Sequence, residues 1–187
     1  RIVDAACELF RAKGFNNTTT RDLASAAAIA AGTLFNYFPT KEAIVIALVA
    51  DGLDVARGEF ERRRRDDASL GEDLFLHVST GLRRLRKHRT YIRPVLETAF
   101  SPLGAPNTLA TEMRRAHLES VQTILRDHEA DLDASPVAAH LYWTLYMGIL
   151  AFWANDSSPH QQDTLAMVDQ SISMFASWLT RGPDAGV

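Results

Sequence analysis

Apolar residues recur along most of the chain in the three- and four-residue steps of amphipathic helices, and no stretch shows the strict alternation of a half-buried strand. Ile2, Ala5, Ala6, Leu9 and Phe10 mark a first helix that Gly14 stops. Thr19, followed three residues later by Asp22, is a capping box that opens a second helix with Leu23, Ala24 and Ala27 inward. A third short helix runs from about Ala31 to Phe38, because Pro39 prevents continuation. Thr40 caps a long fourth helix that turns Ala43, Ile44, Ala47 and Leu48 inward and ends in Arg62, Arg63, Arg64 and Arg65. Cations suit the negative end of a helix, and Glu59 and Glu61 lie close by, so these arginines read as a solvated helix end.

Ser69 and Glu72 form another capping box, before a helix with Leu74, Phe75, Val78 and Leu82 on one side. Tyr91–Phe100 reads as a shorter helix with Pro94 in its first turn, and the segment SPLGAPN after it reads as a loop. A further helix reaches about His128 and carries Met113, Leu118, Val121 and Leu125. Ser135-Pro136 and Ser158-Pro159 each pair a serine N-cap with proline at the first helical position, which predicts helices over about 136–154 and 159–180. In the last of these, Leu165, Val168, Ile172, Phe175 and Leu179 form one stripe, widened by Met174 and Trp178. The expectation is an all-α chain of about nine helices, the first three short and closely spaced.

The eighth helix changes the picture, because no Asp, Glu, Lys or Arg occurs from Ala134 to Asn155. That length could span a membrane. Against this stand His140, Thr144, the acidic flanks Asp131, Asp133 and Asp156, and the lack of a basic anchor; a helix buried on all sides by protein is expected instead. Arg1–Phe10 has no secretory pattern, so a cytoplasmic location is expected, and a segment before Arg1 is expected to be missing.

The 187 residues include 20 Lys and Arg against 23 Asp and Glu, with one cysteine. A disulfide scaffold and a cysteine-rich zinc module are excluded, and the six histidines show no metal-ligand spacing, so neither a metal nor a cofactor is expected. Catalytic residues are not expected either, since no GxSxG elbow, phosphate loop or dinucleotide fingerprint occurs. The net charge of −3 gives no basic signature, but it divides unevenly. Arg1–Ala50 carries five cations and four anions, net +1, which leaves −4 for the remainder.

Three short helices with a tight turn between the second and third suggest a helix-turn-helix. Leu34 and Phe38 would face inward, while Thr33, Asn36 and Tyr37 share another face. A hydroxyl, an amide and a phenol there could reach base edges and phosphates in a major groove. Thr20 and Arg21 at the start of the second helix, and Lys41 at the start of the fourth, sit where a phosphate could meet a positive dipole end. Spacing alone leaves open an ordinary helical hairpin with a wet polar face.

The segment TTTRDLASAAAIAAGTLFNYFPTKEAI, preceded by AACELFRAKGF, resembles the N-terminal DNA-binding domain of the tetracycline-repressor (TetR) family over roughly Ile2 to Leu48, with Gly32 to Ala43 the most specific portion. The resemblance implies a homodimeric transcriptional repressor, with the third helix in the major groove of a double-stranded DNA operator. Thr20, Arg21, Thr33, Asn36, Tyr37 and Lys41 match positions that commonly touch DNA. It also implies a division into a DNA-binding domain, 1–45, and a helical effector-binding and dimerisation domain, 46–187. Three alanines depart from the family pattern: Ala28 stands where Gly is usual, Ala30 where a small polar residue is frequent, and Ala31 where a basic or polar residue is frequent.

In the C-terminal region Trp143, Phe152, Trp153, Phe175 and Trp178 are candidate dimer-interface residues, because a helix apolar all round needs two buried faces. A small-molecule effector, apolar or aromatic, would be lined by Phe75, Val78, Leu82, Tyr91, Leu96, Phe100, Met113, His117, Tyr142 and Tyr146, with His117 the polar handle. Cys7 reads as a small core residue. The alternative function is a helical dimer that binds a ligand or protein without specific DNA binding.

Overall fold

In the computed structural model, residues 1–99, 108–135 and 137–181 are described, and every regular element among them is helical. The helices are α1 (Ile2–Lys13), α2 (Thr20–Ala26), α3 (Ala31–Tyr37), α4 (Lys41–Arg63), α5 (Leu70–Leu85), α6 (Arg89–Ala99), α7 (Thr108–Asp127), α8 (Ala138–Asn155) and α9 (Gln162–Arg181). Single 3-10 turns lie at Arg86–His88, Leu132–Ala134 and Pro159–Gln161. Two units emerge: Arg1–Gly52 with Leu85–Met113, and Leu53–Arg84 with Arg114–Val187.

The caps of the first unit follow its polar punctuation. Gly14 ends α1 at φ 81, and its N–H bonds the carbonyl of Phe10. Thr19 and Asp22 exchange bonds at the start of α2: Asp22 N–H donates to Thr19 Oγ1 (3.1 Å) and Thr19 N–H to Asp22 Oδ2 (2.9 Å). Thr40 Oγ1 accepts from the N–H of Ala43 (3.1 Å) at the head of α4. The core of this unit gathers Ala6, Phe10, Leu23, Ala24, Leu34 and Ile44, with Tyr91 and Ile92 of α6. Phe10 contacts both Phe15 and Tyr91 at 5.3 Å between ring centroids. Tyr91 Oη also meets Cys7 Sγ (3.5 Å) and His88 Nδ1.

The second unit is centred on Phe60, Leu74, Val121, Leu125, Tyr142, Trp153, Val168, Ile172 and Phe175, all nearly inaccessible. Ser69 and Glu72 make the expected box at the head of α5. Asp73, on the next turn face, is buried and accepts from Arg64 Nη2 (2.8 Å) and His128 Nε2 (2.9 Å), while Arg64 also reaches Asp127. The arginine run is thus partly an internal tie between the ends of α4, α5 and α7. α7 closes with Glu129 at φ 56.

Several boundaries differ from the sequence expectation. α6 starts at Arg89, so Pro94 falls in its second turn instead of its first. The Ser158-Pro159 pair opens a 3-10 turn, with His160 and Gln161 at φ 53 and 59, before α9 begins at Gln162; Ser158 Oγ then accepts from Asp163 N–H (3.2 Å). α8 begins at Ala138, and Pro136 lies outside the described residues. No helix among the described residues is long and apolar enough to cross a membrane.

Candidate DNA-binding face and ligand-binding region

The turn between α2 and α3 decides how α3 is presented. Ala28 N–H bonds Ser25 O and Ile29 N–H bonds Ala24 O, both at 3.0 Å, which is the bond pattern of a helix end with a left-handed residue at its pivot. That pivot, Ala28, has φ 52, a region that favours glycine because a Cβ crowds the backbone there. Arg1 steadies the turn from outside it. Its Nε and Nη2 donate to Ala27 O (2.9 and 2.6 Å), and Nη2 also donates to Ala28 O (3.0 Å).

α3 has no side-chain cap at Ala30, so its first N–H groups receive no local side-chain acceptor. Leu34 anchors it inward at 1% exposure, whereas Thr33, Phe35, Asn36 and Tyr37 face out, Tyr37 at 68%. Thr33, Asn36 and Tyr37 therefore share an exposed face, next to the aromatic ring of Phe35. Arg21 is exposed on α2, and Thr20 is half-buried at its first turn.

Lys41 differs from this group. Its ammonium donates to Phe15 O and Thr18 O, each at 2.9 Å, and sits 4.6 Å from the centroid of the Phe15 ring. The side chain expected to meet a phosphate is engaged in fastening the α1–α2 loop to the head of α4. Spacing along one helix could not reveal acceptors 23 and 26 residues away.

Of the expected effector lining, the second unit brings together His117, Tyr142 and Tyr146. His117 Nε2 hydrogen-bonds Tyr142 Oη (3.1 Å), and its ring stacks on Tyr146 at 4.0 Å. Trp143 stands beside His117, with the Arg114 guanidinium 5.3 Å over its ring. Burial holds the His117 imidazole well below the ordinary histidine value, reinforced by His77 and Arg57, and pushes the Tyr142 phenol up. Val78 is buried in this unit and Phe75 is half-buried there.

Tyr91 belongs to the first unit, where it packs on Phe10, and Met113 is buried on α7. Phe100 lies outside the described residues. The sequence reading missed His77 and Thr80. His77 sits 5.3 Å from the His117 ring and edge-on to Phe60 at 5.5 Å, and burial lowers its pKa to about 4. Thr80 is fully buried. The available signal was two polar residues interleaved with Leu74, Val78 and Leu82 on the apolar side of α5.

The expected dimer residues also separate. Trp153 and Phe175 are each 1% exposed and Trp143 is buried, so their side chains fill the core of their own chain and have little surface left for a partner. Trp178 is half-buried and Phe152 exposed. The apolar surface left open on α8 and α9 is instead Leu141, Phe152, Leu165 and Met174.

Residues 2–48 match the family described as bacterial regulatory proteins, tetR family, and residues 74–185 match the tetracyclin repressor-like C-terminal domain. The fatty acid metabolism regulator protein of Bacillus subtilis (strain 168) is 30% identical over 132 residues, covering 66% of this chain and 57% of that protein. The HTH-type transcriptional repressor KstR2 of Rhodococcus jostii (strain RHA1) is 37% identical over 59 residues, 32% of this chain and 29% of that one. In both cases the chain spans less than two thirds of the relative. Among solved structures, the Thermus thermophilus FadR repressor in complex with lauroyl-CoA has a TM-score of 0.74 at 22% identity, covering 100% of this chain and 98% of that one. A TetR regulator from Rhodococcus sp. RHA1 has a TM-score of 0.75 at 18% identity, covering 93% and 92%. At such identities the two structures show a shared fold. With a C-terminal family match that takes in more than half of its residues, and an N-terminal match on the three helices that present α3, the chain belongs to the TetR family.

Proposed function

We propose that this protein is a DNA-binding transcriptional repressor whose operator affinity is lowered by a small, mostly apolar effector. The observation that carries the reading is the α3 face, where Thr33, Asn36 and Tyr37 stand exposed on a helix anchored by Leu34. Asn36 offers adenine a paired donor and acceptor, Thr33 a hydroxyl and a methyl, and Tyr37 a phenol for a phosphate or base edge. Thr20 and Arg21 supply backbone contacts at the start of α2. The protein acts in the cytoplasm as a homodimer, with the N-terminal region near 1–45 reading DNA and 46–187 dimerising and sensing. Two α3 helices about one DNA turn apart, roughly 34–36 Å, read a two-fold site. The effector acts by its differential affinity for a conformer with a different spacing.

The test is binding of the protein to DNA from upstream of its own gene, measured by fluorescence anisotropy across salt concentrations. The expected outcome is steep salt dependence and loss of specific binding on Asn36→Ala and on Tyr37→Ala. Affinity no greater than for random DNA would refute the reading and leave a ligand-binding helical dimer.

A further inference from the structure

His77 Nδ1 and Thr80 Oγ1, two buried hydrogen-bonding atoms on α5, have no partner among the described residues, and the His77 ring lies 5.3 Å from that of His117. His77 is 9% exposed and Thr80 0%. Three residues apart on a helix, they project to one face. Threonine inside a helix often bonds the carbonyl four residues back, and Thr80 does not. Asp73 Oδ1, one turn earlier, is unpartnered too, but the other oxygen of that carboxylate holds Arg64 and His128, so Asp73 has a structural duty. His77 Nδ1 and Thr80 Oγ1 hold no such ion pair, and an unmet buried polar atom costs folding stability.

We propose that His77 and Thr80 form the polar anchor of the effector site, and that the effector is an uncharged aromatic molecule bearing a hydroxyl group. This rests on the regulator reading above. A hydroxyl both donates and accepts, so one such group satisfies an imidazole nitrogen and a threonine hydroxyl together. The rings around His77 set the remaining chemistry: Phe60 lies edge-on to it, and His117 stacks on Tyr146. A planar aromatic ring suits a site bordered by such rings, because aromatic pairs favour edge-to-face and offset contacts. A carboxylate would lose its hydration among these buried rings, and both histidines are held neutral by burial, so neither supplies a compensating charge.

The experiment measures binding of two probe pairs to the full chain by isothermal titration: phenol against toluene, and 1-naphthol against 1-methylnaphthalene, with lauroyl-CoA as a separate arm. The hydroxyl member of at least one pair is expected to bind ten times more tightly or better than its methyl counterpart. Thr80→Val is expected to leave the free protein as stable as before or more so, and to reduce that preference to threefold or less. His77→Phe does the same, and the His77 ring nitrogen resonances shift on adding the hydroxyl probe. Equal binding within both pairs, no binding of either pair, or a preference that survives both substitutions overturns the proposal. Binding of lauroyl-CoA alone overturns it as well, while leaving a ligand-responsive regulator in place. Failure of the regulator reading itself shows separately, as loss of operator binding in the unsubstituted protein.

Discussion

Replacing Lys41 with methionine separates a structural lysine from a phosphate-binding one. Methionine keeps the length of the stem, but removes both bonds to the Phe15 and Thr18 carbonyls and the ammonium that sits over the Phe15 ring. Hydrogen bonds from a charged donor contribute about 1.5–3 kcal/mol each. These two share one part-buried ammonium, and Phe15 O keeps the N–H of Thr18 at 3.3 Å as a second donor. The loss should therefore fall near the bottom of the combined range, about 3 kcal/mol. For a chain of this size each kcal/mol moves the midpoint roughly 2–4 °C, so Lys41→Met should lower Tm by about 6–12 °C. Calorimetry or circular dichroism gives that shift. Operator binding, measured well below the new midpoint, should keep its salt dependence. A phosphate contact would instead flatten the slope of log K against log salt by about 0.9 per lysine removed. An unchanged Tm together with a flatter slope would refute the structural assignment and restore Lys41 to the DNA face.

The strained turn gives a prediction of opposite sign. A left-handed alanine costs about 1–2 kcal/mol, and the extra freedom of glycine in the unfolded chain returns about 0.4–1, so Ala28→Gly should stabilise by about 0.5–1 kcal/mol in urea unfolding; a destabilised variant would show that Ala28 is not strained. The buried histidines predict acid sensitivity. His77 and His117 are neutral when folded and have depressed pKa values, so unfolded chains bind more protons below the ordinary histidine range, and stability is full above about pH 6.5 and falls as pH drops toward 4. Replacing His117 with Phe should make that decline shallower between pH 6 and 4.5, and an unchanged pH profile would count against it. At the C-terminal end, Trp153→Ala should cost about 3–5 kcal/mol through the cavity it leaves. If the proposed homodimer pairs through the open surface of α8 and α9, Met174→Lys, at a side chain 69% exposed, should leave the subunit folded and shift sedimentation toward the monomer; unchanged sedimentation would count against that interface.

What could be read along the chain was whatever depends on near neighbours. The Thr19–Asp22 and Ser69–Glu72 boxes, the Gly14 stop and the exposed Thr33, Asn36, Tyr37 face are all set by residues within one or two turns. What could not be read depends on tertiary partners. Lys41 looks the same in sequence whether it faces a phosphate or two carbonyls of a distant loop. Trp153 and Phe152 are adjacent, yet one is 1% exposed and the other 41%, and an apolar helix with little amphipathic bias offers no cue to which is which. Tyr91 has the aromatic character expected of an effector lining, but its ring is claimed by Phe10. Ser158-Pro159 carries the residues of a helix start, and the positive φ values at His160 and Gln161 delay the helix by a turn. His77 and Thr80 are not singled out in sequence, because polar residues on an apolar stripe carry no sign there of which partner they meet.

The bonds from Arg1 to Ala27 and Ala28 close a ring of 27 residues around α1 and α2 without a covalent link. Such a closure makes the geometry of the α2–α3 corner conditional on α1 having docked. Helices of seven residues, like α2 and α3, are too short to persist alone in water. α3 therefore depends on the first helix: in hydrogen exchange, the amides of α3 should open together with those of α1, as one cooperative block, and Arg1→Ala should loosen both at once.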